Sequence, residues 1–130
     1  MTKQQLKEYW FIIKNIERLE EQRLGIETRL TKTTTTLSDM PKNKTPKDIT
    51  NDLLAEYVDL DNTLNATLAK AYACQNMIEQ AIECLPEREK LLIRLRYIDG
   101  MNWEAICVEM NYAWTHVHRM HGRILQELSK

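Results

Sequence analysis

The sequence predicts an all-α protein, a long N-terminal helical hairpin followed by three short helices, the last two forming a helix-turn-helix. Three observations carry this expectation. Apolar residues recur at steps of three and four over two long stretches, Tyr9 to Leu30 and Leu53 to Leu85, which is the period of one helical face. Between Trp103 and Ile124 the apolar, small and turn-forming residues take the spacing of two helices crossing at a wide angle. No stretch shows the strict alternation of a half-buried strand.

The first helix is expected from about Thr2 to Leu30, with its buried stripe at Tyr9, Ile12, Ile16, Leu19, Arg23, Ile26 and Leu30. Arg23 interrupts that stripe. Gly25 lies within the helix at a cost of roughly 1 kcal/mol relative to alanine, so a bend or a close helix contact is expected near it. Four consecutive threonines, Pro41 and Pro46 place a polar loop at about residues 31–50. The second helix is expected to start near Thr50 or Asn51 and run to Leu85. Its stripe is Leu53, Tyr57, Leu60, Leu64, Thr67, Ala71, Cys74, Ile78, Ala81 and Leu85, a heptad alternation that predicts a coiled coil. Neither helix buries its stripe alone, so a hairpin, or a dimer of hairpins, is the smallest stable unit.

Pro86 divides the chain into residues 1–85 and 86–130, because proline favours the first helical position and Glu87 and Glu89 complement the positive helix end. Leu91, Leu92, Leu95 and Ile98 form the apolar face of the next helix, which stops at Asp99-Gly100. Asn102 is placed to cap a helix from Trp103 to Met110. Counting from Trp103, the fourth position is Ile106, the small fifth is Cys107, the eighth is Met110 and the ninth is Asn111. Tyr112, Val117 and Met120 follow at the tenth, fifteenth and eighteenth. A wide crossing needs a small side chain where the backbones meet, and a residue tolerating positive φ where the first helix stops. Cys107 and Asn111 meet those demands. The last helix is expected from about Thr115 to Leu128, buried through Val117, Met120, Ile124, Leu125 and Leu128.

Composition narrows function. Among 130 residues, 18 Lys and Arg stand against 19 Asp and Glu, which excludes a strongly basic nucleic-acid coat. The part from Pro86 onward is barely basic, with 7 against 6, so any nucleic-acid contact must be local. Cys74, Cys84 and Cys107 form no CxxC pair, which points to reduced thiols in a soluble cytoplasmic protein. The longest apolar run, Tyr9 to Ile13, is too short to span a bilayer.

The candidate binding residues lie on the last helix. In helix-turn-helix proteins the early residues of this helix enter the major groove, and basic groups further along meet phosphate. Arg119 offers a bidentate fork to guanine or a clamp on phosphate, and Arg123 suits the backbone. Thr115, His116 and His118 are placed for base edges or phosphates, and Trp114 packs or stacks at the helix entrance. Any phosphate contacts made by the histidines should tighten in mild acid. A zinc site built from His116, His118, His121 and Cys107 is disfavoured, because residues two apart point to different faces and three or four ligands must converge. Glycine is confined to Gly25, Gly100 and Gly122, so no phosphate-cradling loop exists. With no nucleophile beside a partnered base, no enzymatic role and no cofactor is expected. Asp59 and Asp61 read as surface charge.

The run Leu85-Pro86-Glu87-Arg88-Glu89-Lys90, then Leu95-Arg96-Tyr97-Ile98-Asp99-Gly100 and Trp103-Glu104-Ala105-Ile106, resembles the fourth region of sigma-70 factors. The segment from Tyr112 to Gly122 resembles phage and prophage regulators of the ArpU/RinA type. The resemblance implies a transcriptional regulator of phage or prophage genes that binds double-stranded promoter DNA. Carried over by position, Trp114, Thr115, His116, His118, Arg119 and Arg123 are the recognition residues. The chain departs from the sigma pattern in having His116, His118 and His121 where lysine and arginine are usual. Two weakly charged heads joined by a dimerising hairpin would gain affinity through effective concentration. The alternative reading is an adaptor that docks on RNA polymerase or another protein through the sigma-like domain and the hairpin.

Overall fold

The computed structural model describes residues 1–35 and 45–130, and among these it contains α-helices and no strand. The order is α1 (Lys3–Thr35), α2 (Pro46–Ile82), α3 (Glu87–Ile93), α4 (Trp103–Met110) and α5 (Trp114–Leu128). A wider π-turn, Arg94–Ile98, extends α3. The chain forms two compact units, Met1–Ile13 with Lys70–Lys130, and Lys14–Ala69. The division drawn at Pro86 does not coincide with them. Ile78, Ile82 and Leu85 are buried at the end of α2 and just beyond it. Arg94 grips Glu79 through three hydrogen bonds, Nε to Oε1 at 3.0 Å and to Oε2 at 3.2 Å, and Nη2 to Oε2 at 2.7 Å. The last turns of α2 therefore fold with the helices that follow them.

Both ends of the expected 31–50 loop are helical, and its residues 36–44 lie outside the described part. α1 runs on to Thr35, and within it the hydroxyls of Thr28 and Thr31 donate to the carbonyls of Leu24 and Glu27 at 3.0 Å. α2 begins at Pro46, four residues before the expected start. Thr45 caps it by accepting from the Asp48 amide at 3.1 Å, with proline next, where its missing N–H costs nothing. The start of α1 carries a capping box: Thr2 Oγ1 accepts from the Gln5 amide at 3.3 Å, and Gln5 Oε1 accepts from the Thr2 amide at 2.8 Å.

The two stripes face inward as the periodicity predicts. In the unit 14–69, Ile16, Ile26, Leu53 and Leu64 are buried, and Leu19, Leu30, Tyr57 and Leu60 are half-buried. Here α1 and α2 run antiparallel: Arg23 donates to Asp61 at 2.7 Å, Tyr57 donates to Glu27 at 3.1 Å, and Arg29 lies 3.7 Å from Glu56. Arg23 is thus a half-buried member of the stripe with its own partner, and Asp61 is that partner rather than idle surface charge. Asp59 is exposed. Gly25 makes no close helix contact, since a Cβ built there meets nothing within 4 Å. It opens instead onto a hollow between α1 and α2 that Ile26 and Leu60 also line.

In the other unit, Leu6 and Tyr9 of α1 and Ala71, Ile78 and Ile82 of α2 are buried together with the head formed by the last three helices. Pro86 sits just before α3 rather than in its first turn, and its carbonyl accepts from the amides of Glu89 and Lys90 at 3.0 Å. The inward face of α3 and the π-turn is Leu92, Ile93, Leu95 and Tyr97. Leu91, expected inside, is 42% exposed, and Ile98 is only half-buried. Asp99 donates to Arg94 O at 2.8 Å to close the wide turn, and Gly100, at φ 70°, ends it.

Candidate nucleic-acid interface

The helix-turn-helix is built from local signals that the geometry bears out. Asn102 Oδ1 accepts from the Ala105 amide at 2.8 Å and caps α4. Asn111 stops it in the left-handed region at φ 58°, ψ 43°, and the Tyr112 amide then donates to Cys107 O at 3.1 Å. The motif's fourth, fifteenth and eighteenth residues, Ile106, Val117 and Met120, are each at most 1% exposed. Cys107, the small fifth residue, is half-buried. α5 starts at Trp114, one residue earlier than expected, after Ala113, which offers no side-chain cap.

The buried face of α5 consists of Val117, Met120, His121, Ile124 and Leu128. Thr115, His116, Arg119, Gly122 and Arg123 are exposed on the other side. The spacing of four from Thr115 to Arg119 and from Arg119 to Arg123 places them along one strip of the helix. Arg119 makes no ion pair among the described residues, whereas Arg123 Nη2 lies 3.5 Å from Glu89 of α3. Arg123 is therefore tied partly to the protein's own scaffold.

A cluster of tilted and edge-on ring contacts that periodicity does not reveal packs α5 against α4. His118 lies between two indoles, 4.6 Å from the Trp103 ring and 4.3 Å from the Trp114 ring. Its Nε2 is buried without a hydrogen-bond partner among the described residues. His118 was expected to face DNA; here its imidazole is held mainly by ring contacts. Trp114 packs on it and still leaves half its surface open, at 52% exposure. His116, by contrast, is exposed and leans on Tyr112 at 4.4 Å.

His121 lies deeper, its ring edge-to-face with Trp103 at 4.6 Å and its Nε2 2.6 Å from the Tyr97 hydroxyl. Burial, reinforced by the nearness of Lys3, His118 and Arg96, pushes its pKa down to about 4. The expectation that histidine charge would strengthen phosphate contacts in mild acid therefore fails for His121, which stays neutral and faces inward. Burial likewise raises the Tyr97 phenol above its ordinary value. Among the described residues, no group of histidine, cysteine and carboxylate side chains converges as a metal site would require.

Arg96 also packs on Trp103. Its guanidinium carbon lies 4.6 Å from the Trp103 ring centroid, and Nη1 donates to Met101 O at 3.0 Å. Helical periodicity alone assigns no binding role to Arg96, Lys3 or Lys7. The spacing of Lys3, Lys7 and Trp10 along one helical face was the signal available, but nothing local ties that face to α4.

With its capped α4, its left-handed stop and its exposed α5 strip, the C-terminal part has the form of a helix-turn-helix. Residues 75–128 match the family model of sigma-70, region 4. This match begins inside α2, in keeping with the compact unit that joins the end of α2 to the head. The chain thus carries a sigma region 4-like helix-turn-helix, a type of domain that serves DNA-binding transcription regulation. Comparison with curated proteins and with solved structures found no match. No helix among the described residues is long and apolar enough to cross a membrane.

Proposed function

We propose that this protein is a cytoplasmic, non-enzymatic regulator of phage or prophage genes, of the ArpU/RinA type, that reads promoter DNA with α5. The observation that carries the reading is the two-sidedness of α5 in a sigma region 4-like head. Val117, Met120, His121 and Ile124 anchor it, while Thr115, His116 and Arg119 stand exposed at its N-terminal half. Arg119 is the base-reading or phosphate-clamping group, Thr115 and His116 flank it, and Trp114 borders the strip. Arg123 serves the phosphate backbone when it leaves Glu89, and His118 orients the helix through its ring contacts.

A head with so few free cations binds weakly alone, so the functional species is a homodimer joined as a coiled coil through its N-terminal helices. Exposed Leu54 and Val58, four apart on α2 in the unit 14–69, support that reading. An adaptor that docks on RNA polymerase is the second reading, favoured by Val108, which is 81% exposed on α4.

Selecting bound fragments from the source genome tests this directly. The expected result is a recurring site with two half-sites about 10 base pairs apart, or a multiple of that, and an affinity that falls steeply with salt. Failure to enrich any site, with salt-insensitive capture of a polymerase subunit, would instead establish the adaptor.

A further inference from the structure

A second basic surface lies beside the helix-turn-helix, in the same compact unit and outside α5. A cleft of about 440 Å³ is lined by Lys3, Lys7, Trp10 and Phe11 of α1 and by Arg96 and Trp103, among others. Three cations and no carboxylate line it, in a chain whose net charge is −1. Many of the other basic residues have acidic partners: Arg23 with Asp61, Arg94 with Glu79, Lys90 with Glu83 and Glu87, and Arg123 with Glu89. Lys3, Lys7 and Arg96 form no ion pair among the described residues.

The start of α1 is fastened to the head, since the Met1 nitrogen donates to Leu128 O at the end of α5 at 2.6 Å. Leu6 is fully buried behind the two lysines. A Cβ on Gly100 would stand 3.9 Å from Trp10 Cδ1, which places the Trp10 indole beside the approach to α4. The cleft adjoins α5 through Trp103, whose ring packs on His118.

We propose that this cleft is a phosphate-binding site that takes the backbone of the DNA flanking the bases read by α5. The inference rests on the DNA-binding reading. The first helix of a helix-turn-helix crosses the DNA backbone, and the cleft opens at the N-terminal end of that helix, α4. Arg96, steadied by Met101 O and the Trp103 ring, supplies a fixed fork for phosphate, and Lys3 and Lys7 supply mobile point charges one helical turn apart. Partly exposed Trp10 and Phe11 offer flat surfaces to the sugars. The contact adds affinity without sequence preference, which a sparsely charged α5 needs.

Lys3→Gln/Lys7→Gln is the decisive variant, because both side chains are exposed and the fold does not depend on them. Lys47→Gln/Lys70→Gln, also exposed, matches its change in charge at residues that do not line the cleft. On the site enriched by selection and on unrelated DNA alike, the first variant should bind about tenfold more weakly than wild type. Its plot of log affinity against log salt should flatten by about 2, roughly 0.9 per phosphate contact. The control should change neither by as much. Equal behaviour of the two variants would overturn the cleft while leaving the α5 reading intact if Arg119→Ala still weakens binding. Absence of DNA binding by the wild type would overturn both. Inorganic phosphate at constant ionic strength provides the remaining arm. If it quenches tryptophan fluorescence in wild type but not in the lysine variant, and DNA affinity is the same in both, the cleft holds a small anion and the DNA assignment is wrong.

Discussion

Ile106→Ala is expected to cost about 3 kcal/mol, in the range of 2–5 for truncating a buried aliphatic side chain. Ile106 is 0% exposed at the fourth position of the helix-turn-helix, and α5 closes over α4 with Val117 and Met120 equally buried. Truncation leaves a cavity at the crossing that holds the two helices together, in a small unit with a total stability of roughly 5–15 kcal/mol. Denaturant unfolding followed by tryptophan fluorescence measures the loss, since Trp103 and Trp114 both lie in the head. Val108→Ala, on the same helix but 81% exposed, should stay within about 0.5 kcal/mol of wild type. Similar losses in the two variants would mean that α4 does not pack as described.

Acidification should destabilise the head well before its carboxylates titrate, with His121 responsible. The folded-state pKa of His121 is about 4, against about 6.5 unfolded. The unfolded chain therefore binds more protons than the folded one between those values. Stability is fully present above pH ~6.5 and is lost as pH falls towards ~4. From pH 7 to pH 5 the loss should be about 1–2 kcal/mol. The cause is local: burial of the imidazole comes first, Lys3, His118 and Arg96 add to it, and no carboxylate among the described residues offsets it. Protonation would also fix His121 Nε2 as the donor towards the Tyr97 hydroxyl 2.6 Å away. Glu79, whose pKa is lowered by its hydrogen bond to Arg94, acts in a different window, because its contribution is lost only below the ordinary carboxylate range. His121→Phe should remove most of the decline between pH 7 and pH 5, whatever its effect at pH 7. An undiminished decline in that variant would place the acid sensitivity elsewhere.

What the sequence discloses here is mostly what short range determines. Asn102, Asn111 and Cys107 act on backbone within a few residues of themselves, so their roles can be read from spacing alone. The buried stripes of α1 and α2 are legible for the same reason, since period alone sorts inside from outside. The start of α2 at Pro46 was obscured because its first turn is exposed and carries no apolar period. The Thr45-Pro46 cap was the only cue.

The ring cluster was hidden for a different reason. Tyr97, Trp103, Trp114, His118 and His121 come together only through the angle at which the π-turn, α4 and α5 cross, and no periodicity encodes that angle. It changes the meaning of His118, which on a helical wheel looks like a reader and in the fold supports the helix. The basic cleft is the extreme case, for it joins Lys3 and Lys7 to Arg96 across some ninety residues of chain.

The central claim is that the exposed strip of α5 reads DNA, and Arg119 is its most direct test. Arg119 is exposed and has no ion pair among the described residues, so its loss should leave the fold intact. On a site enriched from the source genome, fluorescence anisotropy should show Arg119→Ala binding about 10- to 100-fold more weakly than wild type, with reduced discrimination against substituted sites. Arg123→Ala, held partly by Glu89, should lose less. Wild-type affinity and discrimination in both variants would contradict the account.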